Sequence, residues 1–290
     1  MAGRRVFPYL CLAPFLLLLL GFFVLPAVYA VYLSLFSSRG LFSSVFVWLA
    51  NYAHVFTDGE FWRAVLRMVY FGIVQVTVMI FLATVLALLI DASVPLADFY
   101  RLVYFLPYAI PGVVAALLWG YMYAPTFGVL GPVVSALAGH PVNLLSSGAL
   151  LFSIGNVVTW EWTGYNAILL LAGLTSVPSS VLDAARVDGA NALQLALRIK
   201  LPLIRRVVLL TLVLSIIGTL QLFSEPYIFS SLTAVSPEFS PNLDIYTTTF
   251  SYGNFDYAAA MAVVLGLVTF GATYLFLRIT GRERATGDVL

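Results

Sequence analysis

Between Arg5 and Arg39 the chain carries no charged side chain, and between Arg101 and Leu182 the only one is Glu161. No water-soluble core accommodates charge-free apolar stretches of that length. Only 9% of the 290 residues are charged and 62% are hydrophobic, against about 25% charged in a soluble globular domain. A lipid bilayer must therefore solvate most of the chain, and at about 20 residues per helical crossing there is room for six spans.

An ionised side chain at the centre of a membrane helix costs at least about 2.5–3.5 kcal/mol, so the gaps between charges locate the spans. They fall at 10–35, 68–90, 101–123, 148–174, 207–229 and 257–278, within one transmembrane domain covering 1–290. The expected fold is an all-α polytopic membrane protein. Val28-Tyr29-Ala30 has the form of a signal-peptide cleavage site, but the first apolar run exceeds the usual 7–15 residues of such a signal. Residues 124–147 lack acidic and basic side chains and read as an outer loop or a re-entrant segment. Cytoplasmic termini place Arg4, Arg5, Arg101, Arg186, Arg198, Lys200, Arg205, Arg206, Arg278, Arg282 and Arg284 inside. Only Arg39, Arg63 and Arg67 are then outside, as the positive-inside rule requires.

Several chemistries are excluded. The net charge of +1 gives no basic face for nucleic acid. The single cysteine, Cys11, and the separated His54 and His140 provide neither a disulfide nor metal-ligand spacing. Lys200, the only lysine, follows no glycine-rich loop, so the phosphate-cradling P-loop is absent, and no G-x-S-x-G or H-E-x-x-H string occurs. The sequence offers no catalytic residue and no metal ligand.

The loop over 175–206 differs from the rest, joining two spans yet dense in charge. Ser179 or Ser180, after Pro178, is placed to cap a helix through Asp183, Ala184, Ala185 and Arg186. Asp188-Gly189 forms a turn, and a second helix runs from Asn191 to Lys200 until Pro202 interrupts it. The order Asp183-Ala184-Ala185, Asp188-Gly189-Ala190, Ile199-Lys200-Leu201-Pro202 closely resembles the EAA loop of binding-protein-dependent ABC importer permeases. Phe105-Leu106-Pro107, Trp160-Glu161-Trp162-Thr163-Gly164-Tyr165-Asn166, Leu171-Ala172-Gly173-Leu174 and Asp256-Tyr257-Ala258 are similar to the carbohydrate branch of that family, the maltose and glycerol-phosphate type. Three positions depart from it: Asp183 replaces the usual Glu, Ala196 stands where an aromatic is common, and Leu232 to Pro237 lacks Gly-Gly-Pro.

The resemblance implies a six-helix permease in a bacterial plasma (inner) membrane, importing a sugar, amino sugar, oligosaccharide or glycerophosphodiester. Its implied partners are a second, similar but non-identical permease subunit, two ATPase subunits and an extracytoplasmic substrate-binding protein. This chain would bind no cofactor; ATP and Mg would sit on the ATPase. Asp183, Ala184, Ala185, Arg186, Asp188, Gly189, Leu201 and Pro202 would carry coupling to that motor.

Polar residues inside spans are the candidates for the substrate path. On the fourth span Asn156, Trp160 and Thr163 recur at helical spacing, with Glu161, Tyr165 and Asn166 on neighbouring faces. On the fifth, Gly218, Gln221 and Glu225 form a stripe, and Gln75 on the second is a weaker candidate. Other readings stand beside this one: the aromatics as an interfacial belt, Gln221 as glue between helices, Glu161 as a solvated group near an outer boundary, and Glu225 as a gate or a contact for the binding protein. Ala258, Ala262 and Gly266 form a small-residue seam read as packing. Two competing functions remain, an ion-gradient-driven secondary transporter and a membrane enzyme acting on lipid-linked sugars. The first lacks paired intramembrane ionisable groups beyond Glu161 and Glu225. The second has only Asp58 and Glu60 to offer.

Overall fold

The computed structural model describes residues 3–38, 44–92 and 96–287; Arg39 of the expected outer set lies outside them. The chain opens with α1 (Gly3–Leu19), which passes through a π turn (Leu20–Val24) into α2 (Leu25–Ser34). Pro26 at the start of α2 cannot donate a backbone hydrogen bond, and the wide π turn just before it absorbs that loss. None of the most apolar window of this segment is buried within the chain, and Phe15, Leu17, Phe22 and Phe23 all face outward. A small antiparallel ribbon, β1 (Phe36–Ser38) with β2 (Ser44–Phe46), sets Phe36 opposite Phe46 and is the one departure from an all-helical chain among the described residues.

After α3 (Ala50–Thr57) comes α4 (Gly59–Asp91), 33 residues long and so about 50 Å, well over the roughly 30 Å of bilayer hydrocarbon. It starts earlier than the expected 68 because the Asp58 carboxylate caps it, accepting from the Glu60 and Phe61 amides at 2.9 and 3.2 Å. The third segment is α5 (Ala97–Phe105), a 3-10 turn (Leu106–Ala109) and α6 (Gly112–Tyr123), bent by 92° where one straight span was expected. Ile110 is the cause: it precedes Pro111, whose ring forbids helical geometry there, and its backbone is extended (φ −82°, ψ 127°). The connection over 124–147 contains α7 (Leu130–Ala138), closed by Gly139 in the left-handed region.

Next come α8 (Leu150–Thr175), α9 (Ser179–Val187) at 74° to it, and α10 (Ala192–Gln194), a π segment (Leu195–Lys200) and α11 (Leu201–Leu203). The fifth segment, α12 (Arg205–Leu220) and α13 (Ser224–Phe229), breaks at residues 221–223. A 3-10 turn (Pro237–Phe239), α14 (Pro241–Tyr246) and a π turn (Thr247–Ser251) lead to α15 (Phe255–Gly287). Among the described residues four helices are long and apolar enough to cross a membrane, and up to six crossings result when each bent pair counts as one.

Lipid tails are as apolar as leucine, so close packing rather than exclusion of water holds these helices together. α8 lies at the centre, in its most extensive contact with α4, and its Gly164 touches α5 so closely that a Cβ there would fall 1.6 Å from the Tyr104 carbonyl oxygen. One core joins Met68 and Phe71 of α4 to Ile154 and Val157 of α8 and Phe229 of α13. Another, at the end that carries α9, joins Ala83, Ala87 and Ile90 to Leu170, Leu171 and Leu174. A third, at the far end, gathers Val55, Phe61, Tyr257 and Met261.

Candidate functional site

Three features carry chemistry: a polar cavity within the bundle, an exposed elbow at one end and a cluster of charges at the other. The cavity, about 230 Å³, opens between α8, α12 and α13 and is lined by Trp162, Tyr165, Asn166, Ser215, Gly218, Gln221 and Glu225 among others. The Asn166 amide donates to the Trp162 carbonyl at 2.9 Å, while its oxygen accepts from Ser215 at 3.5 Å. Tyr165 stacks on Tyr108 with centroids 4.5 Å apart, and Trp162 meets both rings edge-on. Beside it, Gln75 accepts from Thr219 at 3.3 Å and donates to Thr159 at 3.4 Å, a bridge joining α4, α12 and α8.

The expected path residues divide. Tyr165, Asn166, Gln221 and Glu225 line this cavity. Asn156 and Trp160 do not: Asn156 donates to the Tyr123 hydroxyl at 2.7 Å, and Trp160 packs edge-on against Trp119, both on α6. Glu161 is buried and directed at Gly112, at the start of α6. Gly218, Gln221 and Glu225 share the cavity although the helix that was to align them breaks at Gln221. The small-residue seam, read as packing against a helix of this chain or of a partner, is only partly covered. Ala258 is buried, but Ala262 and Gly266 line a groove of about 580 Å³ beside Gln221 and Thr269 instead of packing against a helix of this chain. Trp162 was visible in the sequence as part of an aromatic run, whereas nothing marked Ser215 or Tyr108.

At the elbow, α9 stands clear of the bundle. Val187 is 88% exposed, and Val181, Leu193 and Leu197 are exposed with it. Gly189 bends the chain at φ +84°, with open space around it, so conformation rather than crowding demands glycine. Arg186 donates to Asp183 at 2.7 Å across one helical turn. Neither serine caps α9: Pro178 holds that position, with no side-chain bond. Asn191 does begin the second helix, through a capping box with Gln194. Pro202 falls within the short α11 after the π segment, and the helix breaks only at Ile204. The Lys200 ammonium donates to Asp91 at the end of α4, both side chains largely buried, which ties the elbow to the bundle.

At the far end Arg63 pairs with Glu238 at 3.2 Å, and that bond holds the Glu238 carboxyl below its ordinary range. Burial pushes Asp58 upward, yet donation from the Tyr257 hydroxyl at 2.6 Å and from the two capping amides outweighs it, leaving this carboxyl below its ordinary value. Asp244 is opposite: burial first, then the charges of Asp58, Glu60 and Glu238, push it up to about 6, and its Oδ2 has no partner.

A multi-spanning helical chain with an internal polar cavity and a helical elbow outside the bundle defines a membrane transport subunit. Residues 62–282 match the family described as binding-protein-dependent transport system inner membrane component, and the chain belongs to that family. It is similar to the lactose transport system permease protein LacF of Rhizobium radiobacter, 32% identical over 95% of this chain and 94% of that one. It is similar also to the trehalose/maltose transport system permease protein MalF of Thermococcus litoralis, 29% identical over 95% and 94%. Its fold matches the crystal structure of a bacterial ABC transporter involved in the import of the acidic polysaccharide alginate, with TM-score 0.82, 20% identity and coverage of 97% and 96%. The chain is thus an inner-membrane permease subunit of an ABC importer. The ion-gradient and lipid-linked-sugar readings fall with that membership.

Proposed function

We propose that this chain forms, with a second permease subunit, the path by which a carbohydrate or related polyol enters the cell. An extracytoplasmic substrate-binding protein delivers the solute, and two ATPase subunits, which hold ATP and Mg, supply the energy. The observation that carries the reading is the elbow: two short helices outside the bundle, with apolar side chains exposed around a glycine bend. Exposed Val181, Val187 and Leu193 suit burial in a groove of another protein, while Asp183, Arg186 and Asp188 supply directional polar contacts at its rim. Small Ala184 and Ala185 permit close approach. Movement of the seated elbow passes into α4 through Lys200 and Asp91, and into α12 through Leu201 and Pro202.

The elbow lies on the cytoplasmic side in this scheme, with both termini, and the far end receives the binding protein. The relatives named for lactose and for trehalose and maltose support a sugar. So does the cavity, where Trp162 and Tyr165 offer aromatic faces to ring C–H groups and Asn166, Gln221 and Glu225 bond hydroxyls. The test is Gly189→Val in the assembled importer. ATP-driven uptake of the solute should be lost while the variant still inserts and assembles; undiminished uptake would overturn the coupling assignment.

A further inference from the structure

Glu161 on α8 and Glu225 on α13 converge on the first turn of α6. A Cβ built on Gly112 would lie 3.4 Å from Glu161 Oε1 and 3.6 Å from Glu225 Oε1. Both side chains are more than nine-tenths buried, at 5% and 6% exposure, and Glu161 Oε2 has no hydrogen-bond partner. Glu225 also lines the cavity beside Trp162, Tyr165 and Asn166, so it borders the space the solute would cross, and Glu161 stands beside it across Gly112.

Among the described residues no cation is placed at this pair. No lysine or arginine occurs between Arg101 and Arg186, or between Arg206 and Arg278, the stretches that build α6, α8 and α13. On α4, Arg63 and Arg67 are engaged at the far end by Glu238. Arg101, Arg186 and Lys200 are held by Asp98, Asp183 and Asp91. What faces the carboxylates from their own chain is the amide end of α6, whose partial positive charge is far less than a counter-ion. Two buried acid groups so placed share a proton between them, and the one charge left accepts hydrogen bonds, repels negative charge through a poorly screening interior, and is satisfied by a solute that brings donors.

We infer that Glu161 and Glu225 set the charge class of the transported solute. The path takes carbohydrates that present hydroxyl or ammonium donors and rejects those that present carboxylate, sulfonate or phosphate at this level. Hydroxyls or an ammonium group donate to the acid pair while the sugar ring lies on Trp162 and Tyr165. Of the solutes compatible with the sequence, neutral oligosaccharides and amino sugars fit, and glycerophosphodiesters do not. This assignment rests on the carbohydrate reading above.

The complete importer, reconstituted in liposomes with its binding protein, tests it with matched trisaccharides of glucose, glucosamine and glucuronate at saturating concentration. The glucose and glucosamine compounds should enter at least tenfold faster than the glucuronate one. Glu225→Gln, Glu161→Gln and the double variant should each raise the ratio of glucuronate to glucose uptake, by about tenfold in the double variant. Should one variant fail to assemble, the wild-type ratio and the remaining variants still decide. Glucuronate uptake equal to that of glucose overturns the assignment while leaving the carbohydrate reading intact. So does a ratio that the variants leave unchanged, the result expected if a cation of the second subunit already neutralises the pair. If none of the three enters while an amino acid or peptide does, the carbohydrate reading itself fails, and the assignment with it.

Discussion

The cavity and the elbow use charge in opposite ways. Around the cavity, Glu161 and Glu225 are buried without a cation placed on them from the described residues. At the elbow Asp183 is paired with Arg186 and Asp91 with Lys200, while Val187 and Leu193 are left exposed. The cavity end is thus unsatisfied at its acid pair and the elbow in its apolar side chains. In the proposed scheme a small hydroxylated solute completes the first, and a protein surface completes the second. A single helix, α8, runs from one to the other.

The largest effect should come from cutting that connection. Gly164→Ala places a methyl group against the Tyr104 carbonyl, and no side-chain rotation relieves a backbone contact. Stability should fall by the ~1–3 kcal/mol typical of overpacking or more, with loss of assembled importer in detergent extracts. A normal yield and thermal midpoint would show that α5 and α8 separate freely, and the cavity would lose its rigid wall.

Next in size is the tie between elbow and bundle. Lys200→Met leaves Asp91 largely buried without its partner and should cost about 2 kcal/mol, with ATP hydrolysis outlasting solute uptake. The double exchange Asp91→Lys with Lys200→Asp should recover part of the ratio of uptake to hydrolysis. An unaltered ratio in the single variant would make the pair a local brace with no part in transmission.

Smallest is an effect at the far end. The Asp244 carboxyl is held near 6, above its ordinary value of 3.8, so the folded protein binds the extra proton between these values. Stability contributed by the protonated form is complete below pH about 4 and is lost as pH rises through 6. Asp244→Asn should therefore match the wild type near pH 4 and exceed it at pH 7.5, by on the order of 1 kcal/mol once solvent screening discounts the shift. Parallel thermal-unfolding curves across that range would rule out the carboxylate as a source of the loss.

How much of this was legible in the sequence depended on how local its cause was. The elbow was largely legible because the turn at Gly189 and the start of the second helix at Asn191 are set by near neighbours, although the cap expected at Ser179 or Ser180 is absent and Pro202 lies within the helix it was to interrupt. The 92° bend was half legible: Pro111 marks a break, but its angle is set by the contact of α5 and α6 with α8. The path residues were the least legible. Helix α8 is enclosed by α4, α5, α6 and α12, so polar residues point toward several neighbours and periodicity selects no single face. That is why Asn156 and Trp160 turn to α6 while Tyr165 and Asn166 reach the cavity. The contact of Gly164 with Tyr104 and that of Glu161 with Gly112 join residues far apart in sequence, which spacing alone does not reveal.

Lys200 is the chain's single lysine and Cys11 its single cysteine. The thiol is exposed on the outermost helix, and the amine is covered by its bond to Asp91. Each therefore offers a unique chemical address for a label. Slow acylation of the amine reports a closed tie and faster acylation an open one.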